Sequence, residues 1–216
     1  MPVEKSAAKS RLYQAFAESG KALSNASRLE LLDLLSQGER TVEALAKAAG
    51  LGVTTTSAHL QILKRAGFVA TRRDGVRIFY RLAGDDVATV FALLRKVAEA
   101  HQAEVPAARD DYLLAGGQEI DSISRDELAT RISDGATVLL DVRPVEEYHA
   151  GHIPGATSIP VDELADRISE LPTEADVVVY CRGEYCVFAY DAVRLLSSQG
   201  RRAIRLNDGM LEWRLA

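Results

Sequence analysis

From Ala7 to about Glu104, apolar residues recur three and four positions apart, the period of amphipathic helices, with one interruption. Leu12, Phe16 and Leu23 mark a first helix. Leu29, Leu31, Leu32, Leu34 and Leu35 mark a second, capped by Asn25 or Ser27 and closed at Gly38. Thr41 caps a short third helix. Ala44 stands three residues later, where a capping box would need Glu or Gln. The stretch Ala49-Gly50-Leu51-Gly52 reads as a tight turn. A helix from Thr54 to Ala66 follows, with Leu60, Ile62 and Leu63 apolar and Gly67 as its stop. The interruption runs from Phe68 to Leu82. There, β-branched and aromatic residues flank Asp74-Gly75, which predicts a two-residue hairpin turn. Asp85 to Glu104 returns to helix, with Val87, Val90, Phe91, Leu94 and Val97 on one stripe.

The texture then changes. Residues 105–120 contain Pro106, Arg109, Asp110, Asp111 and the Gly116-Gly117 pair. They read as a linker in which Tyr112, Leu113 and Leu114 are the residues able to pack. Beyond it, Val138–Val142 and Val177–Tyr180 are short apolar runs, as in buried parallel strands, and Ala203–Leu206 reads as a last strand. Helical stretches lie between them at Arg125–Asp134, Val161–Leu171 and Cys186–Gln199. This alternation predicts an α/β domain with a parallel sheet and flanking helices. The expected organisation is two domains: a mainly α domain over 1–104, a linker over 105–120 and an α/β domain over 121–216.

Charge sharpens this division. The chain has 216 residues and a formal net charge of −5. Its first 104 residues carry four more cations than anions, and the remainder nine more anions than cations. A polyanionic partner therefore belongs to the first half. No apolar stretch approaches the roughly 20 residues that span a bilayer, so no membrane partner is expected. The start, MPVEKSAAKSRL, lacks the apolar core of a secretory signal, which makes a cytoplasmic location the default expectation.

Helix, tight turn, helix and basic hairpin, in that order, make a winged helix-turn-helix. The reader helix would begin at Gly52 or Val53. Thr54, Thr55, Thr56 and Ser57 place small hydroxyls near its start, where phosphates and base edges can be approached closely. His59, Gln61 and Lys64 add longer polar groups. Arg72, Arg73 and Arg77 cluster at the hairpin and can grip a backbone or minor groove. The bland reading is a solvated helix face and a solvated hairpin.

The segments GKALSNASRLELL (20–32) and TTTSAHLQILKRAGFV (54–69), together with the Arg72-Arg73-Asp74-Gly75 wing, resemble the ArsR family of bacterial repressors over about residues 8–104. The resemblance implies a homodimer built on the first and last helices of this half. It also implies binding to a two-fold related double-stranded operator, released by an inducer. Many relatives sense metals. Residues 41–49 contain no Cys, and His101 and Glu104 supply only half of another family site, where Ala88 and Val90 stand in place of ligands. No bound metal and no cofactor are expected.

The chain has two cysteines, Cys181 and Cys186, in the loop YCRGEYCV (180–187). Their closeness argues against a disulfide framework and for a paired-thiol site in a reducing compartment. The loop follows an apolar strand and precedes a helix. Cys181 would therefore sit over backbone amides and a helix N-terminus, which favour its thiolate. Gly183 is expected to let the loop curl, and Arg182 to add positive charge. The segment LLDVRPVEEYHAGHIPGA (139–156), the Cys181 loop and Gly209–Trp213 resemble the rhodanese family over about residues 121–216. The resemblance implies that Cys181 carries sulfane sulfur as a persulfide. The loop residues Arg182, Gly183, Glu184, Tyr185, Cys186 and Val187 would surround it, with Asp141 and Arg143 in supporting roles. Cys-based phosphatases of similar architecture need an arginine six residues after the cysteine, and Val187 stands there. Cys186 is either a resolving thiol for Cys181 or a small packing residue.

The combined expectation is a DNA-binding repressor that senses or carries sulfane sulfur, or responds to thiol oxidants, through Cys181. Its small donor would be thiosulfate, a polysulfide or a persulfide. Three alternatives stand beside it. One is a thiosulfate or persulfide sulfurtransferase tethered to DNA. Another is a catalytically idle binding platform. The third is a metal- or arsenite-responsive repressor using Cys181 and Cys186.

Overall fold

The computed structural model describes residues 2–114, 120–133 and 137–215, the side chains of residues 2–5 and 133 excepted. It divides into two compact units, Met1–Phe91 and Ala92–Ala216. Gly116-Gly117 of the expected linker and Asp134 of an expected helix lie outside the described residues.

The first unit is built from α1 (Pro2–Leu23), α2 (Ala26–Ser36), β1 (Arg40–Thr41), α3 (Val42–Ala48), α4 (Val53–Arg65), β2 (Val69–Asp74), β3 (Arg77–Leu82) and the start of α5 (Asp85–His101). Asn25 is the cap of α2, its side chain accepting from the Arg28 amide at 3.1 Å. Thr41 caps α3 through the Ala44 amide. Both caps satisfy amides that a helix start leaves orphaned. Leu31, Leu32, Leu35, Leu45, Leu60, Leu63 and Tyr80 are buried and form the core, which fixes α3 and α4 as a helix-turn-helix. The strands form an antiparallel sheet in the order β1-β3-β2. Asp74 pairs with Arg77, so the two-residue turn is Gly75-Val76, one position later than the Asp74-Gly75 expectation. Gly75 has φ +58° while Val76 stays negative, which suits a turn with glycine first.

The second unit holds the rest of α5, then α6 (Glu104–Leu113), β4 (Ser122–Ile123), α7 (Arg125–Ser133), β5 (Thr137–Asp141), α8 (Val145–Ala150), β6 (Thr157–Ser158), α9 (Leu164–Arg167) with a following 3₁₀ turn, β7 (Asp176–Tyr180), α10 (Val187–Ser198), β8 (Ala203–Leu206) and α11 (Met210–Arg214). The strands form one parallel sheet in the order β4-β8-β7-β5-β6. Successive strand residues face opposite ways. Leu140, Val177 and Val179 join one core with α10, and Leu139, Val178 and Tyr180 join another with Ile153 and Leu206. Residues 105–113, read as linker, are helical. Pro106 lies in the first turn of α6, where a missing amide hydrogen breaks no helical bond. Only Leu164–Glu170 of the helix expected over 161–171 is helical.

Strand order reverses between β5 and β7. The loops leaving the carboxyl ends of these two strands, which begin with Val142-Arg143 and Cys181-Arg182, therefore meet at a topological switch point. Open parallel sheets place their sites there.

Candidate functional site

In the first unit, α4 presents Thr54, Thr55, Gln61 and Lys64 on its exposed side. Gln61 also donates to the Tyr80 hydroxyl at 3.4 Å, and Lys64 to the Thr71 hydroxyl at 2.9 Å, which steady the helix against the hairpin. Ser57 and His59 are half-buried. Thr56 is fully buried, and its hydroxyl donates to the Gly52 carbonyl at 3.0 Å. It closes the helix start from inside and offers nothing to a duplex, contrary to its expected role. On the wing, Arg72, Arg73 and Arg77 are exposed. Arg72 is held by Glu39 and Asp74 and lies over the Phe79 ring. The same guanidinium lowers the Glu39 carboxyl below its ordinary value, chiefly by hydrogen bonding. Arg73 donates to the Gly75 carbonyl at 3.0 Å.

In the second unit, a buried network braces the strand ends beneath the cysteine loop. Asp141 and Arg143 are both fully buried and joined at 2.6 Å. Arg143 also donates to the Gly151 carbonyl at 2.7 Å. The Tyr180 hydroxyl donates to Asp141 at 2.6 Å and accepts from the Ile153 amide at 3.1 Å. Burial first, and the Asp141 carboxylate second, raise the Tyr180 hydroxyl far above its ordinary pKa and keep it a donor. Asp141 and Arg143 thus support the strand that ends one residue before Cys181.

Cys181 and Cys186 are joined by a disulfide, with Cα atoms 6.2 Å apart. Both are buried. The expected thiolate of Cys181, open above free amides, is not what this closed loop displays. The cap of α10 is Cys186, not Cys181, so the helix dipole acts first on the second cysteine. Arg182, expected to add positive charge near the sulfur, has that charge matched by a buried carboxylate. It forms a bidentate pair with Glu147 at 2.7–3.1 Å, and this carboxylate is 1% exposed. Arg182 also lies over the Phe188 ring.

Gly183 keeps an ordinary negative φ, so curling is not why glycine stands there. Close packing is. A Cβ at Gly209 would come within 2.1 Å of the Gly183 amide nitrogen, and one at Gly183 within 3.1 Å of the Glu212 carboxylate. The start of α11 is laced to the loop: Met210 and Leu211 amides donate to the Cys181 and Arg182 carbonyls, each at 3.1 Å. Glu212 accepts from the Gly209 amide at 2.9 Å. On the other side of the loop, the Tyr185 hydroxyl donates to Glu99 of α5 at 2.6 Å, and Arg95 lies 4.3 Å over the Tyr185 ring and 3.7 Å from Glu212. Glu184 is exposed, and Val187 opens α10. The Glu99 carboxyl is lowered, first by the Tyr185 hydrogen bond and then by Arg109. Sequence reading missed Glu147, Gly209, Glu212, Arg95 and Glu99. Glu147, Gly209 and Glu212 lay within segments already singled out, but nothing in the sequence tied any of the five to the loop.

Residues 25–71 match the model of bacterial regulatory proteins of the arsR family, and residues 124–216 match the rhodanese-like domain. An HTH-type transcriptional regulator of Mycobacterium tuberculosis, Rv0324, is 55% identical over 208 residues, which is 96% of this chain and 91% of that protein. The chain belongs to the ArsR family and carries a C-terminal rhodanese-like domain. It is a transcriptional regulator of that family with the winged, DNA-binding architecture. Within the rhodanese-like part, a sulfurtransferase of Allochromatium vinosum is 35% identical over 96 residues, covering 44% of this chain and 88% of that protein. A homodimeric winged helix-turn-helix domain of Mycobacterium bovis is 53% identical, covering 44% of this chain and 89% of that one, with a TM-score of 0.42. Among the described residues, no helix is long and apolar enough to cross a membrane, and no three His, Cys, Asp or Glu side chains gather as a metal site.

Proposed function

We propose that this ArsR regulator is a dimeric repressor whose rhodanese-like domain reads reactive sulfur through a Cys181–Cys186 switch. The observation that carries this reading is the disulfide between Cys181 and Cys186, five positions apart. In the reduced loop, the Cys181 thiolate attacks the sulfane sulfur of thiosulfate, a polysulfide or a small persulfide. The donor's remainder leaves with the bonding pair, as sulfite, a shortened polysulfide or a thiolate. Cys181 then holds a persulfide. The Cys186 thiolate attacks the Cys181 Sγ, expels hydrosulfide and closes the disulfide. The α10 N-terminus favours the Cys186 thiolate that performs this second step. A cellular dithiol reopens the loop.

Closing the loop sets the position of Tyr185, the residue before Cys186. Tyr185 in turn holds Glu99 and Arg95 on the part of α5 that belongs to the second unit. That helix runs without a break from Asp85, in the first unit, to His101. A dimer is supported by the exposed apolar residues Leu12, Tyr13 and Phe16 on α1 and Val90, Leu93, Leu94 and Val97 on α5. The M. bovis relative is described as a homodimer. The sulfurtransferase likeness supports sulfur transfer as the loop's chemistry.

Mass spectrometry of the reduced chain after polysulfide exposure tests the switch. Wild-type protein passes from a Cys181 persulfide to the intramolecular disulfide, and Cys186→Ser stops at the persulfide. An unmodified Cys181 in both would refute the reading.

A further inference from the structure

A cavity of about 190 Å³ lies within the second unit, lined by Leu113, Arg109, Glu184, Tyr190 and Arg205 among others. Arg205 is its unusual member. It sits on β8 between apolar neighbours, is 8% exposed, and lies 4.9 Å over the Tyr190 ring. A buried guanidinium costs free energy unless its donors are satisfied. Among the described residues, its terminal nitrogens reach two neutral oxygens, the Leu206 carbonyl and the Asn207 amide, each at 3.3 Å. Its Nε is buried and has no hydrogen-bond partner among the described residues. Arg109, by contrast, is paired with Glu99 and Asp110. Asp110, tied to Arg109, and Glu184, three residues after Cys181, also line the cavity.

A guanidinium with an unpartnered Nε–H and the Glu184 carboxylate in one small cavity match a ligand that carries both opposite charges. We infer that this cavity binds a small zwitterionic α-amino acid, with its carboxylate on Arg205 and its ammonium group on Glu184. A fork of N–H donors suits a carboxylate, and Tyr190 and Leu113 supply apolar wall for a short side chain. Because Glu184 belongs to the cysteine loop, occupancy reports directly to it. If the sulfur-switch reading holds, on which this last step rests, the matched donor class is an amino-acid persulfide of cysteine size.

Calorimetric titration of the full-length chain with S-methyl-L-cysteine tests the site without any sulfur transfer. Two analogues complete the test: 3-(methylthio)propionate lacks the ammonium group and 2-(methylthio)ethylamine lacks the carboxylate. One molecule per chain is expected to bind, with each analogue weaker by about ten-fold or more, the scale of one lost charged hydrogen bond. Arg205→Met and Glu184→Gln each lose binding by a similar factor. Glu184 is exposed, so its variant folds even where the Arg205 variant does not. A shift of the Arg205 Nε–H resonance on titration gives a reading that needs no variant. Absence of binding up to about 10 mM, analogues that bind as tightly as the amino acid, or unchanged affinity in Glu184→Gln overturns the inference. None of these outcomes depends on whether polysulfide closes the disulfide.

Discussion

Arg143 and Asp141 illustrate how a buried ion pair acts through position. Two charges taken out of water are stabilised only where their geometry is good and their remaining donors are used. Here the guanidinium spans Asp141 and the Gly151 carbonyl, and Tyr180 completes the carboxylate's partners. Arg143→Met leaves the Asp141 carboxylate without its cation. It is expected to destabilise the rhodanese-like domain by about 3–5 kcal/mol. Trp213, the only tryptophan, lies in that domain and reports its urea unfolding selectively. A loss below about 1 kcal/mol would contradict the bracing role.

Glu99 and Tyr185 give a pH-dependent contact. The Glu99 carboxyl is lowered in the folded chain. A depressed carboxyl contributes stability above its unfolded pKa and loses it as pH falls through the folded value. The stability gap between wild type and Tyr185→Phe is therefore open at pH 7. It closes as the pH drops below the usual carboxylate range near about 4.3. Acid unfolding followed by Trp213 fluorescence checks this, and a gap that widens on acidification would be the wrong sign.

At the scale of elements, the wing and reader helix separate charges that are free to meet phosphate from charges already engaged. Arg72 is paired with Glu39, whereas Arg73 and Arg77 extend beyond that pair toward the turn. Arg73→Ala and Arg77→Ala are expected to weaken DNA binding across sequences. Each should lower the salt dependence by about one counterion. Arg72→Ala should cost less, because Glu39 already neutralises that cation. Filter binding over a salt series decides it, and equal losses at all three positions would contradict the division.

Helix periodicity and caps were legible because α2, α3 and α4 obey local rules: Asn25 and Thr41 cap as their side chains dictate. Thr56 was not legible as a core residue. Three adjacent threonines look alike in sequence, and only the packing of α4 turns one inward. The turn slipped by one residue because Asp74-Gly75 and Gly75-Val76 both offer glycine its positive φ, and strand register chose between them. The parallel sheet was readable from its apolar runs. The loop's supports were not, since Glu147, Gly209 and Glu99 reach it from distant segments with no shared spacing.

For the whole molecule, the chain joins a basic DNA-reading half to an acidic half that holds a two-cysteine loop. A sensor built this way needs the sulfur state to change DNA affinity, by a coupling of typically five- to 150-fold. The decisive measurement is fluorescence anisotropy of a duplex selected from random DNA, bound by reduced and polysulfide-treated protein. Mass analysis of Cys181 and Cys186 accompanies it on the same samples. Wild type is predicted to lose affinity by at least about five-fold as the disulfide forms, while Cys181→Ser binds DNA and does not respond. Equal affinity in the reduced and disulfide-closed wild type, or the same response in Cys181→Ser, would contradict the account.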